Sequence, residues 1–81
     1  MYPKRYKNMA YNELSIYVKK MRKQFHLTQI DLSEKSGVGL RFVRELEQGK
    51  QTLRIDKVNQ VLSLFGSTLS PVPMDRNQLI T

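Results

Sequence analysis

Arg41 and Arg44 stand three residues apart in a short run that has the look of one helix. An arginine guanidinium can engage O6 and N7 of a guanine together, so two arginines on one exposed helix face are candidates for reading base edges. Leu40, just before them, offers an apolar surface for a thymine methyl, or is a plain surface leucine. Glu45 follows Arg41 by four residues and can accept from cytosine N4; holding Arg41 in place by an i,i+4 pair is the role the spacing favours. Gly39 either permits close backbone approach or simply completes a turn. Lys50, Gln51 and Arg54 fall in the polar loop that follows, with Gln48 at its edge, and suit the neighbouring phosphates. Such contacts set position and do not specify sequence. The plain alternative for the arginine pair is a solvated basic face.

The composition is compatible with a polyanionic partner and does not decide it. Fourteen Lys and Arg against seven acids give a net charge of +7 and a pI near 10.0, which attracts DNA, RNA or an acidic membrane surface. Eighty-one residues make one domain. A chain this short buries only about 60% of its unfolded surface, so a dimer interface would help stabilise it. The absence of cysteine excludes disulfides and cysteine-ligated zinc, and fits a reducing cytoplasm without requiring one. No apolar run reaches the roughly 18 residues of a membrane span, and the N-terminus lacks a signal-peptide apolar stretch. His26 is the single histidine. With no second ligand for a metal, no histidine-paired Ser33 or Ser36, and no Gly-rich phosphate loop, neither an enzyme nor a cofactor is expected.

Four helices must position these residues. Leu14, Val18, Met21 and Phe25 repeat at 4-3-4 and predict a first helix over about residues 12–25. Thr28 is placed to cap a second over 29–36 by accepting from the Asp31 amide, with Ile30 and Leu32 as its apolar residues. Gly37 supplies the left-handed C-cap and Gly39 ends the three-residue turn. A third helix covers 40–48, with Val43, Leu46 and Glu47 on one side and Leu40, Arg41, Arg44 and Glu45 on the other. Gly49 caps it, and Phe42 is expected to join Val43 and Leu46 in the core. The fourth spans 55–65 on Ile55, Val58, Val61, Leu62 and Phe65, and Gly66 stops it. The division expected is a basic arm over 1–11, a helical domain over 12–66 and a tail over 67–81. Pro71 and Pro73 bar the tail from extending a helix, and Thr68, Leu69 and Val72 suit a short edge strand.

Two short helices joined by a Gly-centred three-residue turn cross steeply, so the second can project into a major groove. The stretch Leu27-Thr28-Gln29-Ile30-Asp31-Leu32, the turn at Gly37, and Val43-Arg44-Glu45-Leu46-Glu47-Gln48-Gly49-Lys50 resemble the Cro/phage-repressor (XRE) helix-turn-helix. The resemblance covers residues 12–66. It implies an all-α, four- to five-helix, lambda-repressor-like domain that binds double-stranded operator DNA and represses transcription. It makes Gln29, with Thr28 at the head of the second helix, a phosphate contact, and places a base-contacting residue at Leu40. It also implies a partly buried ion pair between Arg22 and Glu47.

Within that family the size and tail are most similar to HipB-type antitoxins. Those add a C-terminal strand paired across a homodimer, bind their own operator, and bind a HipA-type kinase toxin. The resemblance thus implies dimerisation through Thr68, Leu69 and Val72, autoregulation of a toxin-antitoxin operon, and a bacterial cytoplasmic protein that joins the nucleoid when DNA-bound. The alternatives are a phage-type or other operon repressor without a toxin, a toxin-neutralising protein for which DNA is secondary, and an RNA- or ribosome-associated module. Whether Lys4, Arg5 and Lys7 enter a minor groove stays open.

Overall fold

A computed structural model describes residues 12–73. The expected basic arm over 1–11, with Lys4, Arg5 and Lys7, and the tail beyond residue 73 lie outside these described residues. The elements are α1 (Glu13–Gln24), α2 (Gln29–Ser36), α3 (Leu40–Glu47) and α4 (Ile55–Leu64).

Local chemistry sets the helix ends. Asn12 caps α1 reciprocally with Ser15: the Ser15 amide donates to Asn12 Oδ1 at 2.8 Å and the Asn12 amide donates to Ser15 Oγ at 3.0 Å. Thr28 and Asp31 form the same box at the start of α2, at 3.0 and 2.9 Å. Each box satisfies two amides that a helix start otherwise leaves orphaned. Gly37 ends α2 with φ of +85° and donates to the Ser33 carbonyl at 2.9 Å, a conformation that costs a residue with a Cβ about 1–2 kcal/mol. The αL residue after α1 is His26, at φ 58°.

Val18, Leu32, Val38, Val43, Leu46, Val58, Val61, Leu62 and Phe65 form one buried cluster drawn from all four helices and the α2–α3 turn. Burying each such side chain is worth about 1.5–3 kcal/mol. Phe42 packs against this cluster without being buried. Phe25 is half exposed, its ring meeting the edge of Phe65 with centroids 5.2 Å apart.

Ile30, an apolar residue of α2, is 54% exposed, and Ile55, expected on the apolar face of the fourth helix, is 66% exposed. At 100° per residue Ile30 stands 200° from Leu32, so the two cannot share one buried face, and Leu32 takes it. Ile55 is the first residue of α4, which reaches the core one turn later at Val58.

Side-chain hydrogen bonds fasten the last turn of α2 and the α2–α3 turn after it. Ser33 Oγ donates to the Val38 carbonyl at 2.6 Å, Ser36 Oγ to the Leu32 carbonyl at 2.6 Å, and Gln60 Nε2 of α4 to the Ser36 carbonyl at 2.9 Å. These bonds fix how α3 leaves the body.

The expected strand is absent among the described residues, which correspond to an all-α fold. Within this chain the segment is pinned to α4. Asn59 Oδ1 accepts from the Leu69 amide at 2.8 Å and from Thr68 Oγ1 at 3.1 Å, and Tyr17 Oη meets Ser67 Oγ at 2.5 Å. The Leu69 amide is thereby spent on a side chain, and Pro71 and Pro73 have none to give a ladder.

Candidate nucleic-acid interface

The helical repeat divides α3 cleanly. Val43, Leu46 and Glu47 are buried, at 0%, 1% and 2% exposure. Arg41 and Arg44 are exposed, and Leu40 and Glu45 are partly so. The structure therefore brings Leu40, Arg41, Arg44 and Glu45 together on the outer surface of one helix. Gly39 precedes them as N-cap, with φ −68° and no side-chain cap on α3. A Cβ at Gly39 would meet nothing within 4 Å, so the fold itself does not require glycine there.

Glu45 does more than pair with Arg41. Its Oε2 accepts from Arg41 Nε at 3.3 Å and lies 3.5 Å from Lys50 Nζ, so one carboxylate oxygen ties the helix to the loop after it. The pairs are solvent-exposed and worth at most about 1 kcal/mol. They orient the cations and leave them exchangeable. Arg54 is held similarly: it donates to Asp56 at 3.2 and 2.7 Å, and its guanidinium keeps the Asp56 carboxyl below the usual range. Gln48 and Gln51 are exposed on either side of Lys50.

Behind the outer face sits a scaffold of charge. Arg22 donates from Nε to Glu47 Oε2 at 2.7 Å and from Nη2 to Glu47 Oε1 at 3.1 Å. Its Nη1 donates to the Leu27 carbonyl at 2.9 Å. A bidentate pair whose third guanidinium nitrogen is also hydrogen-bonded is the kind of arrangement that makes a buried charge tolerable. Gln29 completes the group, donating from Nε2 to Glu47 Oε1 at 3.1 Å.

Arg22, Gln29 and Arg44 also line one recess of about 420 Å³ at the head of α2, together with Leu27, Thr28 and Ile30. Arg44 thus belongs to two surfaces at once, the outer face of α3 and this recess. The Thr28 amide is committed to Asp31, and that bond, with the Thr28 hydroxyl, holds the Asp31 carboxyl below its usual range. The links from Gln29 to Glu47 and from Lys50 to Glu45 were not foreseen from the sequence. The Lys50–Glu45 spacing of five residues across a glycine cap was the one available signal for the second. A further tie runs from Asn12 Nδ2 to the Gly49 carbonyl at 3.3 Å, joining the start of α1 to the end of α3.

No group of three or more His, Cys, Asp or Glu side chains that could hold a metal occurs among the described residues. No helix there is long and apolar enough to cross a membrane.

Two short helices joined by a fastened turn, with an outward arginine face and a buried ion pair behind it, define a helix-turn-helix module. A family model described as "Helix-turn-helix" matches residues 18–72, and the chain belongs to that family. The chain is also similar to the "Uncharacterized HTH-type transcriptional regulator y4mF" of Sinorhizobium fredii. The two are 42% identical over 57 residues, covering 70% of this chain and 75% of the relative. No solved structure gives a significant match.

Proposed function

We propose that this protein is a sequence-specific, DNA-binding transcriptional repressor that inserts α3 into the major groove. The carrying observation is the outer face of α3, where Arg41 and Arg44 are exposed while Val43, Leu46 and Glu47 are buried. Arg41, Arg44 and Glu45 read or frame base edges, and Leu40 contacts a thymine methyl. Gly39 supports close approach to the DNA, since the protein's own packing makes no demand for it. Thr28, Gln29, Gln48, Lys50, Gln51 and Arg54 serve the flanking phosphates. The net charge of +7 and the similarity to a relative named as a transcriptional regulator support this reading.

Two copies reading a palindromic operator would set their α3 helices about 34 Å apart. Exposed Ile55, Leu69 and Val72 give a second copy apolar surface to cover, which supports dimerisation through the segment containing Thr68, Leu69 and Val72. An autoregulating antitoxin role beside a HipA-type kinase rests on the HipB-type resemblance of size and tail.

Binding to its own promoter and to random duplex, followed by fluorescence anisotropy, tests the reading. Specific binding is typically at least about 10³-fold tighter than non-specific binding. Equal affinity for both duplexes would refute the repressor. Co-purification of the neighbouring gene product as a stoichiometric complex tests the antitoxin role, and its failure would remove that role alone.

A further inference from the structure

We infer that Glu47 is a positioning residue for the phosphate contact made by Gln29, beyond its pairing with Arg22. This deepens the DNA-binding reading and rests on it.

Glu47 is 2% exposed and, as a carboxylate, can only accept hydrogen bonds. It takes Arg22 through both oxygens and Gln29 Nε2 through Oε1. Because the acceptor is fixed, the Gln29 carboxamide must turn its nitrogen inward; the opposite flip would set oxygen against oxygen. One of the two Nε2 protons is then committed to Glu47, and the other diverges from it by about 120°, as trigonal amide geometry requires. Gln29 also lines the recess shared with Arg44, whose guanidinium makes no hydrogen bond or ion pair among the described residues. A neutral donor held in one rotamer beside an unpaired cation is a preorganised pair for a phosphate oxygen, because its ordering cost has been met in folding. Glu47 belongs to α3, so the link also ties this contact at α2 to the helix that enters the groove.

A double-mutant cycle between Gln29→Met and Glu47→Gln, read as affinity for a random-sequence 20-base-pair duplex, tests the assignment. Gln29→Met should weaken binding about fivefold. The slope of log affinity on log salt should not change, because a neutral amide displaces no counterion. Glu47→Gln should carry a loss in the Gln29 protein that disappears in the Gln29→Met protein. The loss of one negative charge is common to both backgrounds and cancels in the cycle. A merely structural Glu47 would weaken binding equally in both backgrounds, and that additive result overturns the inference.

Should Glu47→Gln not fold, the wild-type chain carries the test. The Gln29 side-chain amide should exchange with solvent more slowly than those of Gln48 and Gln51, and its signals should shift on adding the duplex. Exchange as fast as those exposed amides, or no shift with DNA bound, overturns the assignment. No binding of wild-type protein to any duplex would overturn the repressor reading and this inference together, whereas binding with an additive cycle overturns only the inference.

Discussion

Arg22 and Glu47, twenty-five residues apart in sequence, meet through two hydrogen bonds of 2.7 and 3.1 Å between α1 and the last residue of α3. Their side chains are 13% and 2% exposed. Removing one partner of such a pair strands a buried charge, which typically costs about 3–5 kcal/mol. Glu47→Ala should lower the stability in urea denaturation by that amount. Arg22→Met combined with Glu47→Leu should recover most of it, since the cost lies in the unpaired charge more than in the lost attraction. A double variant no more stable than Glu47→Ala would contradict this.

Gly37 and His26 both occupy left-handed backbone, with φ of +85° and 58°, and substitutions there should move stability in opposite directions. A Cβ at Gly37 would stand 3.0 Å from Gln60 Nε2, the group that fastens the turn to α4. Gly37→Ala should therefore destabilise by at least about 1–2 kcal/mol. His26→Gly should stabilise by up to about 1 kcal/mol, with relief of the αL penalty partly offset by glycine's larger unfolded entropy. Thermal unfolding of the two variants checks both signs.

Arg41 and Lys50 share the carboxylate of Glu45 but should fail differently. Arg41→Ala should cost about 1–3 kcal/mol on the preferred operator and relax the preference at one base position. Lys50→Ala should weaken all duplexes alike and reduce the salt slope by about one. Competition titrations with single-base operator variants at several salt concentrations separate these outcomes.

Acid should loosen the start of α2. The Asp31 carboxyl lies below its ordinary value of 3.8 because Thr28 donates to its charged form. A group whose folded pKa is depressed stabilises the protein above the unfolded value. That contribution is lost as pH falls from about 3.8 through the lower folded value. Thermal midpoints should drop across this window, and by less in Asp31→Asn, whose side chain does not titrate. An equal drop in both proteins would assign the acid sensitivity elsewhere.

The helical frame was legible because local rules carried it. Thr28 capped where a hydroxyl three residues before Asp31 should cap, Gly37 took αL, and Val43 and Leu46 were buried by the period of α3 alone. Which of the two apolar residues of α2 is buried was not legible locally: Ile30 and Leu32 stand on opposite faces, and packing buries Leu32. The described residues show no strand at Thr68, Leu69 and Val72, and the bond that holds this segment instead, the acceptance of the Leu69 amide by Asn59 ten residues earlier, is one that no local pattern announces. Arg22 with Glu47 was legible only through resemblance. Gln29 with Glu47 was not legible at all, since eighteen residues and a change of helix separate them. Residues facing outward on α3 could be named from sequence; the residues packed behind them needed the tertiary structure.

In the proposed complex, α3 and its flanking turns form the DNA surface. Backbone amide chemical shifts of the labelled protein, recorded during titration with a duplex of its own promoter, test it most directly. Shifts should concentrate at Gly39–Glu45, at Thr28 and Gln29, and from Gln48 to Arg54, with Lys20 and Lys23 on α1 and Ser63 on α4 unmoved. Shifts centred on α1 or α4, with Arg41 and Arg44 unchanged at saturation, would contradict it.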